Sequence, residues 1–261
     1  MDFTEHFRAL HADGLLLMPN AWDGGSARLL EYVGFSAVAT TSSGYAGSLG
    51  RPDQHIRRDE LLRHVESMAA AITVPLSVDS EACYPGETGG IGRTVELLAA
   101  AGAAGCSIED YDPALGLLPL RMAVDRVSEA VEAARTHGLV VTARAENHLY
   151  HADDLDDTIA RLIAFRRAGA DVVYAPGLIE LTDIARVVRE VGAPVNVLAM
   201  PGVPPTEELA ASGVRRVSTG GSLAWVAYQA LVTAGQELIE HGTTSYLSTV
   251  LSEQDRGAAF R

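Results

Sequence analysis

Lysine is absent from this chain of 261 residues, and all 20 of its basic residues are arginine. Without lysine the protein cannot form the Schiff base of a lysine-dependent aldolase or of a pyridoxal phosphate enzyme, and it lacks the lysine of a phosphate-binding loop. Genomic base composition accounts for an arginine bias of this kind. The exclusion of these mechanisms holds whatever the origin of the bias.

Positive charge is scarce as well, because 34 acidic residues give the chain a net charge of −14. Nucleic acids and anionic membranes attract basic faces, so neither is an expected partner. The two cysteines, Cys83 and Cys106, are too few for a disulfide framework and predict reduced thiols. The N-terminus lacks the features of a signal peptide, and no apolar run approaches the ~20 residues that span a bilayer. We therefore expect a soluble, cytoplasmic protein.

Apolar runs alternate with helical patterns along the chain, and a hydrophobic content of 48% allows a large core. Strands are predicted at residues 15–19, 35–43, 75–81, 105–110, 139–146, 171–177, 194–200 and 215–220. Helices are predicted at residues 2–12, 23–34, 57–72, 94–101, 120–137, 153–168, 180–191, 206–211 and 223–241. Glycines such as Gly34 and Gly169 end a helix shortly before the next strand begins.

Alternation of strands and helices indicates parallel strands joined by crossovers. Eight such units in about 250 residues are typical of a (β/α)8 barrel, the TIM barrel. The alternative is a doubly wound open sheet, whose dinucleotide-binding version is disfavoured because no Gly-x-Gly-x-x-Gly motif follows the first strand. We predict one α/β-barrel domain over residues 1–245 and a C-terminal tail over residues 246–261.

The strand predicted at residues 75–81 ends in two acids, Asp79 and Glu81, which the two-residue repeat of a strand places on the same side. Adjacent carboxylates repel and are costly to bury unpaired, whereas a hard divalent cation binds oxygen ligands. Glu109, at the end of the next strand, completes a set of three acids that suits one Mg²⁺ held partly through water. The alternative is an exposed turn with two solvated acids.

In a barrel, the carboxyl ends of the strands form the active face. The residues at the predicted strand ends are Asn20, Trp22, Ser42, Ser43, Asp79, Glu81, Glu109, Asp110, Arg144, Glu146, Asn196 and Ser218. Arg144 is suited to bind a substrate carboxylate through its planar guanidinium; a buried ion pair with Glu81 or Glu146 is the alternative. Ser43 and the two following backbone N–H groups are candidates to bind a carboxylate or a developing enolate oxygen.

Short segments in a defined order resemble the isocitrate lyase / phosphoenolpyruvate mutase superfamily. They are PNAWD at 19–23, SGY at 43–45, GRPD at 50–53, VDSE at 78–81, GCSIED at 105–110, TAR at 142–144, YAPG at 174–177, PVNV at 194–197 and GVRRVS at 213–218. They cover residues 19 to about 220, nearly the whole predicted barrel. Each segment is weak alone, and their order and spacing together are specific.

The resemblance implies a homo-oligomer, a tetramer or dimer, whose C-terminal helix is exchanged between subunits. It also implies that Mg²⁺, with Mn²⁺ as a substitute, binds together with a small oxo or hydroxy acid. The implied metal ligands are Asp79, Glu81 and Glu109, and the substrate-binding residues are Trp22, Ser43, Gly44, Tyr45 and Arg144, with Asn196 at the seventh strand end. Catalytic roles are expected of Arg144, Ser43, Tyr45 and Asp53, the last a further acid near the metal. Glu81 is one methylene longer than the aspartate common in the family, which should move the ion slightly.

The chain departs from the family after the fourth predicted strand. Family lyases carry Lys-x-Cys-Gly-His there and the phosphonomutases carry lysine and asparagine, whereas residues 109–120 of this chain contain no cysteine, lysine, histidine or asparagine. The acid or base of the reaction is therefore unassigned. Other candidate proton carriers are Cys83, Tyr84, Tyr111, Asp112 and His148.

These observations predict a Mg²⁺-dependent lyase that cleaves a C–C bond of a small 2-hydroxy or 2-oxo di- or tricarboxylic acid through an enolate. Such an enzyme would release an oxo acid such as pyruvate. One alternative is C–P chemistry, as a phosphonopyruvate hydrolase or phosphonomutase. A second alternative is a non-catalytic barrel that binds oxo acids.

Overall fold

The protein, described as a computed structural model over residues 2–261, has a main sheet of nine parallel strands. They are β1 (Leu16–Met18), β2 (Asn20–Ala21), β3 (Val38–Thr40), β4 (Leu76–Asp79), β5 (Gly105–Glu109), β8 (Val140–Arg144), β9 (Val172–Tyr174), β10 (Val195–Leu198) and β11 (Arg216–Ser218). An antiparallel hairpin of β6 (Tyr111–Asp112) and β7 (Gly116–Leu117) follows β5.

Helices surround this sheet. They are α1 (Phe3–Ala9), α2 (Gly24–Val33), α3 (Ser42–Ser48), α4 (Arg58–Ala71), α5 (Gly90–Ala100), α6 (Leu120–His137), α7 (Leu155–Ala168), α8 (Leu181–Val191), α9 (Thr206–Ala211), α10 (Ser222–His241) and α11 (Glu253–Ala259), with a 3₁₀ helix at Ser245–Thr249. None of the helices within residues 2–261 is both long and apolar enough to cross a bilayer.

The sheet closes on itself, which confirms the predicted (β/α)8 barrel. β1 pairs with β11 while β2 pairs with β3, and Pro19, which has no N–H to donate, separates the two halves of this first strand. The side chain of Asn20 bridges the seam. Its oxygen accepts hydrogen bonds from the backbone N–H groups of Thr219 and Gly220, both at 2.9 Å, and its amide donates to the Thr40 carbonyl at 2.6 Å.

Helix ends follow the chemistry predicted for them. Asp23 caps α2, because its carboxylate accepts from the Ser26 N–H at 2.6 Å and the Ser26 hydroxyl accepts from the Asp23 N–H at 3.1 Å. Gly34 and Gly169 end α2 and α7, each with a φ of 108°. Glycine tolerates this left-handed conformation, which a Cβ would make unfavourable.

Two segments differ from the prediction. The strand expected over residues 35–43 ends at Thr40, because Thr41 caps α3 through a hydrogen bond from the Gly44 N–H to its hydroxyl at 3.2 Å. The sequence pattern predicted no strand in residues 111–117, where the hairpin lies. The Tyr32 hydroxyl on α2 donates to Asp255 of the C-terminal tail at 2.8 Å, so the tail contacts its own barrel. Exchange of the C-terminal helix between subunits stays a prediction.

The end of the barrel opposite the active face is closed by α1. Phe7 is fully buried there and packs on Gly105, at the start of β5. A Cβ at Gly105 would lie 2.7 Å from the Val140 carbonyl oxygen and 2.8 Å from Phe7 Cε1. Only glycine therefore fits between the strand and the helix.

We predict that Gly105→Ala destabilises the fold by about 1–3 kcal/mol, because the added methyl overpacks the barrel floor against a backbone oxygen that cannot rotate away. Urea denaturation measures the change in the free energy of unfolding. Gly257→Ala, at an exposed position of α11 with no atom within 4 Å of the new Cβ, is the control, and should be neutral or stabilising by up to about 1 kcal/mol. Equal effects of the two substitutions would contradict the packing argument.

Candidate active site

A cavity of about 200 Å³ opens at the carboxyl ends of the barrel strands. Many of the residues singled out in the sequence line it together. These are Asn20, Ser42, Ser43, Asp53, Asp79, Glu109, Arg144, Glu146, Asn196 and Ser218. The strand ends therefore form one polar site, as the barrel prediction required.

Arg144, the last residue of β8, contacts three carboxylates in this cavity. Its Nη1 lies 3.0 Å from Asp79 Oδ1 and 3.0 Å from Glu109 Oε1, and its Nε donates to Glu146 Oε1 at 2.7 Å. The Tyr174 ring centre lies 5.1 Å from the guanidinium carbon. The ion pair with Glu146, one of the alternatives for this arginine, is thus present, while the guanidinium also lines the cavity.

One guanidinium shared by three carboxylates leaves an excess of negative charge. Burial raises the pKa of Glu109 well above its usual range although Arg144 opposes the shift, and burial also raises the pKa of Glu146. Burial disfavours the charge of Arg144, but Glu109, Glu146 and Asp79 outweigh it and raise the pKa of the guanidinium. A buried cluster of this charge favours the binding of a further cation.

Asp79 and Asp53 face the cavity from neighbouring positions. Asp79 Oδ2 accepts from the Ser42 N–H at 3.0 Å, which ties the end of β4 to the start of α3. Asp53 lies on the rim and is exposed as a residue, yet it lines the cavity beside Asp79. Burial of its carboxyl group and the charge of Asp79 raise the pKa of Asp53.

Glu81 lies behind the main cavity. It lines a separate space of about 10 Å³ with Asp79, Tyr84 and Tyr45, whose ring stacks on His64 at 3.7 Å. The φ values of Glu81 and Tyr84 are 52° and 53°, a strained left-handed turn that no local sequence signal predicts. Glu81 Oε1 is buried without a hydrogen-bond partner among residues 2–261. Burial raises the pKa of Glu81 to about 8, and the nearby charges of Asp79 and Asp53 add to the shift.

Of the four residues near the start of α3 that were expected to bind substrate, Ser43 lines the cavity, whereas Trp22, Gly44 and Tyr45 lie outside it. A Cβ at Gly44 would lie 3.0 Å from Trp22 Cβ, so glycine lets α3 pack closely on that residue. The N–H groups of Gly44 and Tyr45 donate to the hydroxyl and carbonyl of Thr41 at 3.2 and 3.0 Å. These N–H groups thus stabilise the first turn of α3.

Asp110 points away from the cavity although it neighbours Glu109. Its Oδ2 accepts from Arg161 Nη1 at 3.0 Å, and its Oδ1 accepts from the Glu146 N–H at 2.8 Å. Asp110 therefore positions the backbone that carries Glu146. The thiols of Cys83 and Cys106 are buried; burial raises the pKa of Cys83 to about 12 and that of Cys106 well above its usual range, which disfavours a reactive thiolate.

The sequence reading assigned no site role to several residues that line the cavity, namely Gln54, Thr142, Leu149, Tyr150, Tyr174 and Arg216. Thr142 and Arg216 lie two residues before Arg144 and Ser218, so strand alternation alone would have found them. Arg216 is buried and donates to Asn196 at 3.0 Å and to Thr142 at 2.9 Å. Gln54 and Tyr150 lie on loops, where no periodicity indicates which side chain faces the site.

Among residues 2–261, no three His, Cys, Asp or Glu side chains already converge as a set of metal ligands. The carboxylates of Asp79 and Glu109 are instead occupied by Arg144. Their oxygens are the ligand type that Mg²⁺ and Mn²⁺ bind, and the unpartnered Glu81 oxygen lies behind Asp79. The donor chemistry and the excess negative charge both fit a hard divalent cation.

The sequence profile of the phosphoenolpyruvate phosphomutase family matches residues 7–239. The chain therefore belongs to this family, and its resemblance to the isocitrate lyase / phosphoenolpyruvate mutase superfamily is confirmed. It is an enzyme of that superfamily.

Similar proteins span more than one named activity. The solved structure of a candidate lyase/mutase from Burkholderia cenocepacia J2315 is 45% identical, has a TM-score of 0.94, and the match covers 98% of this chain and 95% of that one. Oxaloacetate decarboxylase of Paraburkholderia xenovorans (strain LB400) is 32% identical over 90% of this chain and 81% of its own. Carboxyvinyl-carboxyphosphonate phosphorylmutase of Arabidopsis thaliana is 30% identical over 92% of this chain and 76% of its own.

We predict that the stability contributed by protonated Glu81 is lost as the pH rises. The pKa of Glu81 rises from 4.5 to about 8 on folding, so the folded state binds more protons between these values and the free energy of unfolding falls across that window. Glu81→Gln stays uncharged and should avoid this loss, which is on the order of 4 kcal/mol.

Urea denaturation of both proteins at pH 5 and pH 8.5 in EDTA measures the difference. Glu207→Gln, on the exposed start of α9, is the control and should keep the wild-type dependence on pH. Parallel pH profiles for wild type and Glu81→Gln would show that the buried carboxyl does not behave as described.

Proposed function

We propose that the protein is a Mg²⁺-dependent lyase that cleaves a C–C bond of a small 2-hydroxy or 2-oxo di- or tricarboxylic acid and releases an oxo acid such as pyruvate. The cluster of Asp79, Glu109 and Glu146 around Arg144 supports this proposal most directly. It combines cation-binding oxygens with a carboxylate-binding guanidinium in one cavity of about 200 Å³. That combination suits a small acid bound beside a metal ion.

Asp79 and Glu109 would hold the metal ion, partly through water, with Glu81 as the third acid behind Asp79. When bound, Mg²⁺ would act as a Lewis acid that stabilises negative charge developing on the substrate oxygen. Arg144 holds Asp79 and Glu109 at the cavity, and the Ser42 N–H of α3 also fixes Asp79. A bound cation would compete with Arg144 for these oxygens, so metal binding would include a rearrangement of the ion pairs.

Arg144 is assigned to bind a substrate carboxylate. In the free protein its Nη1 contacts Asp79 and Glu109, and its Nε donates to Glu146. Neutralisation of those carboxylates would free the guanidinium to form a two-point contact with a substrate carboxylate. The Tyr174 ring, 5.1 Å from the guanidinium carbon, restricts the orientation in which that contact forms.

Ser43, Asn196 and Asp53 supply the remaining polar contacts. Trp225 Nε1 donates to Ser43 Oγ at 3.2 Å. The hydroxyl hydrogen of Ser43 is therefore free to donate to a ligand in the cavity that Ser43 lines. The Asn196 amide is fixed by the Ser218 hydroxyl at 2.9 Å. Asp53 holds its proton more readily than an ordinary aspartate and lies at the mouth, so we assign it to proton exchange with the bound acid. Tyr45 contributes by stacking on His64 behind the cavity lining.

C–P chemistry is the alternative, since one relative is named a phosphorylmutase. The segment at residues 109–120 lacks the lysine and asparagine that phosphonomutases carry there, which counts against C–P chemistry, although it also lacks the Lys-x-Cys-Gly-His of the family lyases. Release of phosphate from phosphonopyruvate would reverse this preference.

We predict that 2-oxo acid is released from one or more members of a panel of substituted malates, citrates and oxaloacetate in Mg²⁺, and that EDTA abolishes the release. Asp79→Asn should lower kcat/KM by at least about a hundredfold, because it removes a carboxylate ligand and an Arg144 partner. Asp156→Asn, which changes an exposed aspartate paired with Arg186, is the control and should match the wild type. Full activity of Asp79→Asn would exclude the assigned site. If the wild type binds oxalate but turns over no acid of the panel, a non-catalytic barrel would be favoured.

We also infer a homo-oligomer that buries α10. Its exposed apolar side chains are Trp225, Val226, Leu231, Val232, Leu238 and Ile239, of which Ile239 is 85% exposed. Six large apolar side chains exposed on one helix are unusual for a monomer and typical of a subunit contact. Superfamily enzymes commonly oligomerise, and α10 is the C-terminal helix for which exchange between subunits was expected.

We predict that Ile239→Glu shifts the protein towards monomers, because a buried unpaired charge in a subunit contact is unfavourable. Sedimentation velocity at micromolar concentration measures the shift. Val33→Glu, which replaces a 69% exposed valine at the end of α2, is the matched control and should leave the assembly intact. If Val33→Glu dissociates into monomers and Ile239→Glu does not, the subunit contact lies away from α10.

A further inference from the structure

The segment that follows β5 is folded against the barrel by contacts at both of its ends. Tyr111 pairs with Leu117 in the β6–β7 hairpin, and the Leu118 N–H donates to the Asp110 carbonyl at 2.8 Å. Asp112 accepts from Arg126 of α6 at 3.3 Å. These contacts hold the hairpin in one position beside the cavity mouth.

Tyr111 stacks on Tyr150, which lies in the turn between β8 and α7. The ring centres are 3.6 Å apart and the planes differ by 5°. The turn is held in place as well, because the Tyr150 N–H donates to the Glu146 carbonyl at 3.2 Å. On its other side, Gly177 approaches so closely that a Cβ there would lie 2.9 Å from His148 Cβ. Tyr150 is therefore positioned by the hairpin and by its own turn together.

Leu149 and Tyr150 line the active cavity, and both are partly exposed at its mouth, at 37% and 41%. They follow Glu146, whose carboxylate contacts Arg144, so this apolar surface adjoins the ion cluster. Much of the remaining lining near the mouth is polar or glycine, with Ser42, Ser43, Asp53, Gln54 and the glycines at 220 and 221, and Leu198 adds a partly buried apolar side chain at the end of β10. An acid bound by its carboxylates at the ion cluster thus has the exposed apolar surface of Leu149 and Tyr150 available for its remaining carbon atoms.

We propose that Leu149 and Tyr150, with Tyr111 as the residue that positions them, form the substituent-binding surface that sets substrate choice. The expected substrates are 2-hydroxy- or 2-oxo-dicarboxylic acids with an alkyl substituent beside the carboxylate. This proposal rests on the proposed function, because it describes the same site. One methyl group placed in an apolar contact changes discrimination by about tenfold or more.

The test compares citramalate (2-methylmalate) with malate. For the wild type, kcat/KM should favour the methylated acid by about tenfold or more. Tyr150→Ala and Tyr111→Ala should reduce this ratio to within about threefold, whereas Tyr150→Phe and Tyr111→Phe should keep it, because they retain the stacked rings. Oxalate, which carries no alkyl group, should bind all four variants with wild-type affinity.

Two results would overturn the proposal. One is a wild-type ratio in Tyr150→Ala, which would mean that the ring does not contact the substituent. The other is that both alanine variants lose oxalate binding while both phenylalanine variants keep it. That result would mean that the stacked rings support the whole site and do not select substrates. If the wild type turns over neither acid, calorimetric Kd values replace kcat/KM in the same comparison. Equal Kd values for citramalate and malate, or a lower Kd for malate, would then overturn this proposal, while a lower Kd for citramalate that Tyr150→Ala removes would support it even though the proposed reaction had failed.

Discussion

The carboxylates of Asp79, Glu109 and Glu146 converge on the guanidinium of Arg144, and the arrangement of the active face depends on this contact. Asp79, Glu109 and Arg144 end three adjacent parallel strands, β4, β5 and β8, whose register places Glu109 opposite Arg144, and Glu146 follows two residues after β8. A slip of one residue in any of these strands would turn its side chain out of the barrel. The register of the sheet therefore brings the charged side chains together, and the ion pairs between them favour that register. The same contact leaves more negative charge than one guanidinium balances, so the feature that orders the strand ends also creates an affinity for a cation.

The adjacent acids at the end of β5 show how the barrel separates charge in the cavity from charge that supports the backbone. Glu109 faces the cavity, whereas Asp110 faces Arg161 of α7 and accepts the Glu146 N–H. A strand that alternates between two sides can place one carboxylate in the site and use the next to fix the loop that follows β8. Because the Asp110 pair is buried and hydrogen-bonded at both oxygens, its removal would disturb Glu146 without touching the substrate.

The sequence predicted the barrel and most of the polar cavity lining, because both follow from strand periodicity and from the rule that parallel strands end on one face. It could not predict where Glu81 points, since the left-handed turn at residues 81–84 depends on packing around the buried thiol and rings that follow β4. The start of α3 at Ser42 was missed because a threonine cap ended the strand earlier than its apolar run suggested. The Tyr111–Tyr150 stack joins residues 39 positions apart on two loops, and no local pattern encodes such a contact.

The site consists of two halves with different physical origins. The polar half is built from strand ends, whose positions are set by the sheet, and its carboxylates and guanidinium are the groups to which the proposed function assigns the metal ion and the substrate carboxylate. The apolar half is built from the segments after β5 and β8, which can change length and sequence without altering the barrel. One barrel scaffold can carry different activities, as the decarboxylase and the phosphorylmutase among the relatives illustrate, because function depends on the site and not on the fold alone. In this chain the loops after β5 and β8 are held by an ion pair and a ring stack, so the surface that we propose selects the substituent is present before the substrate binds.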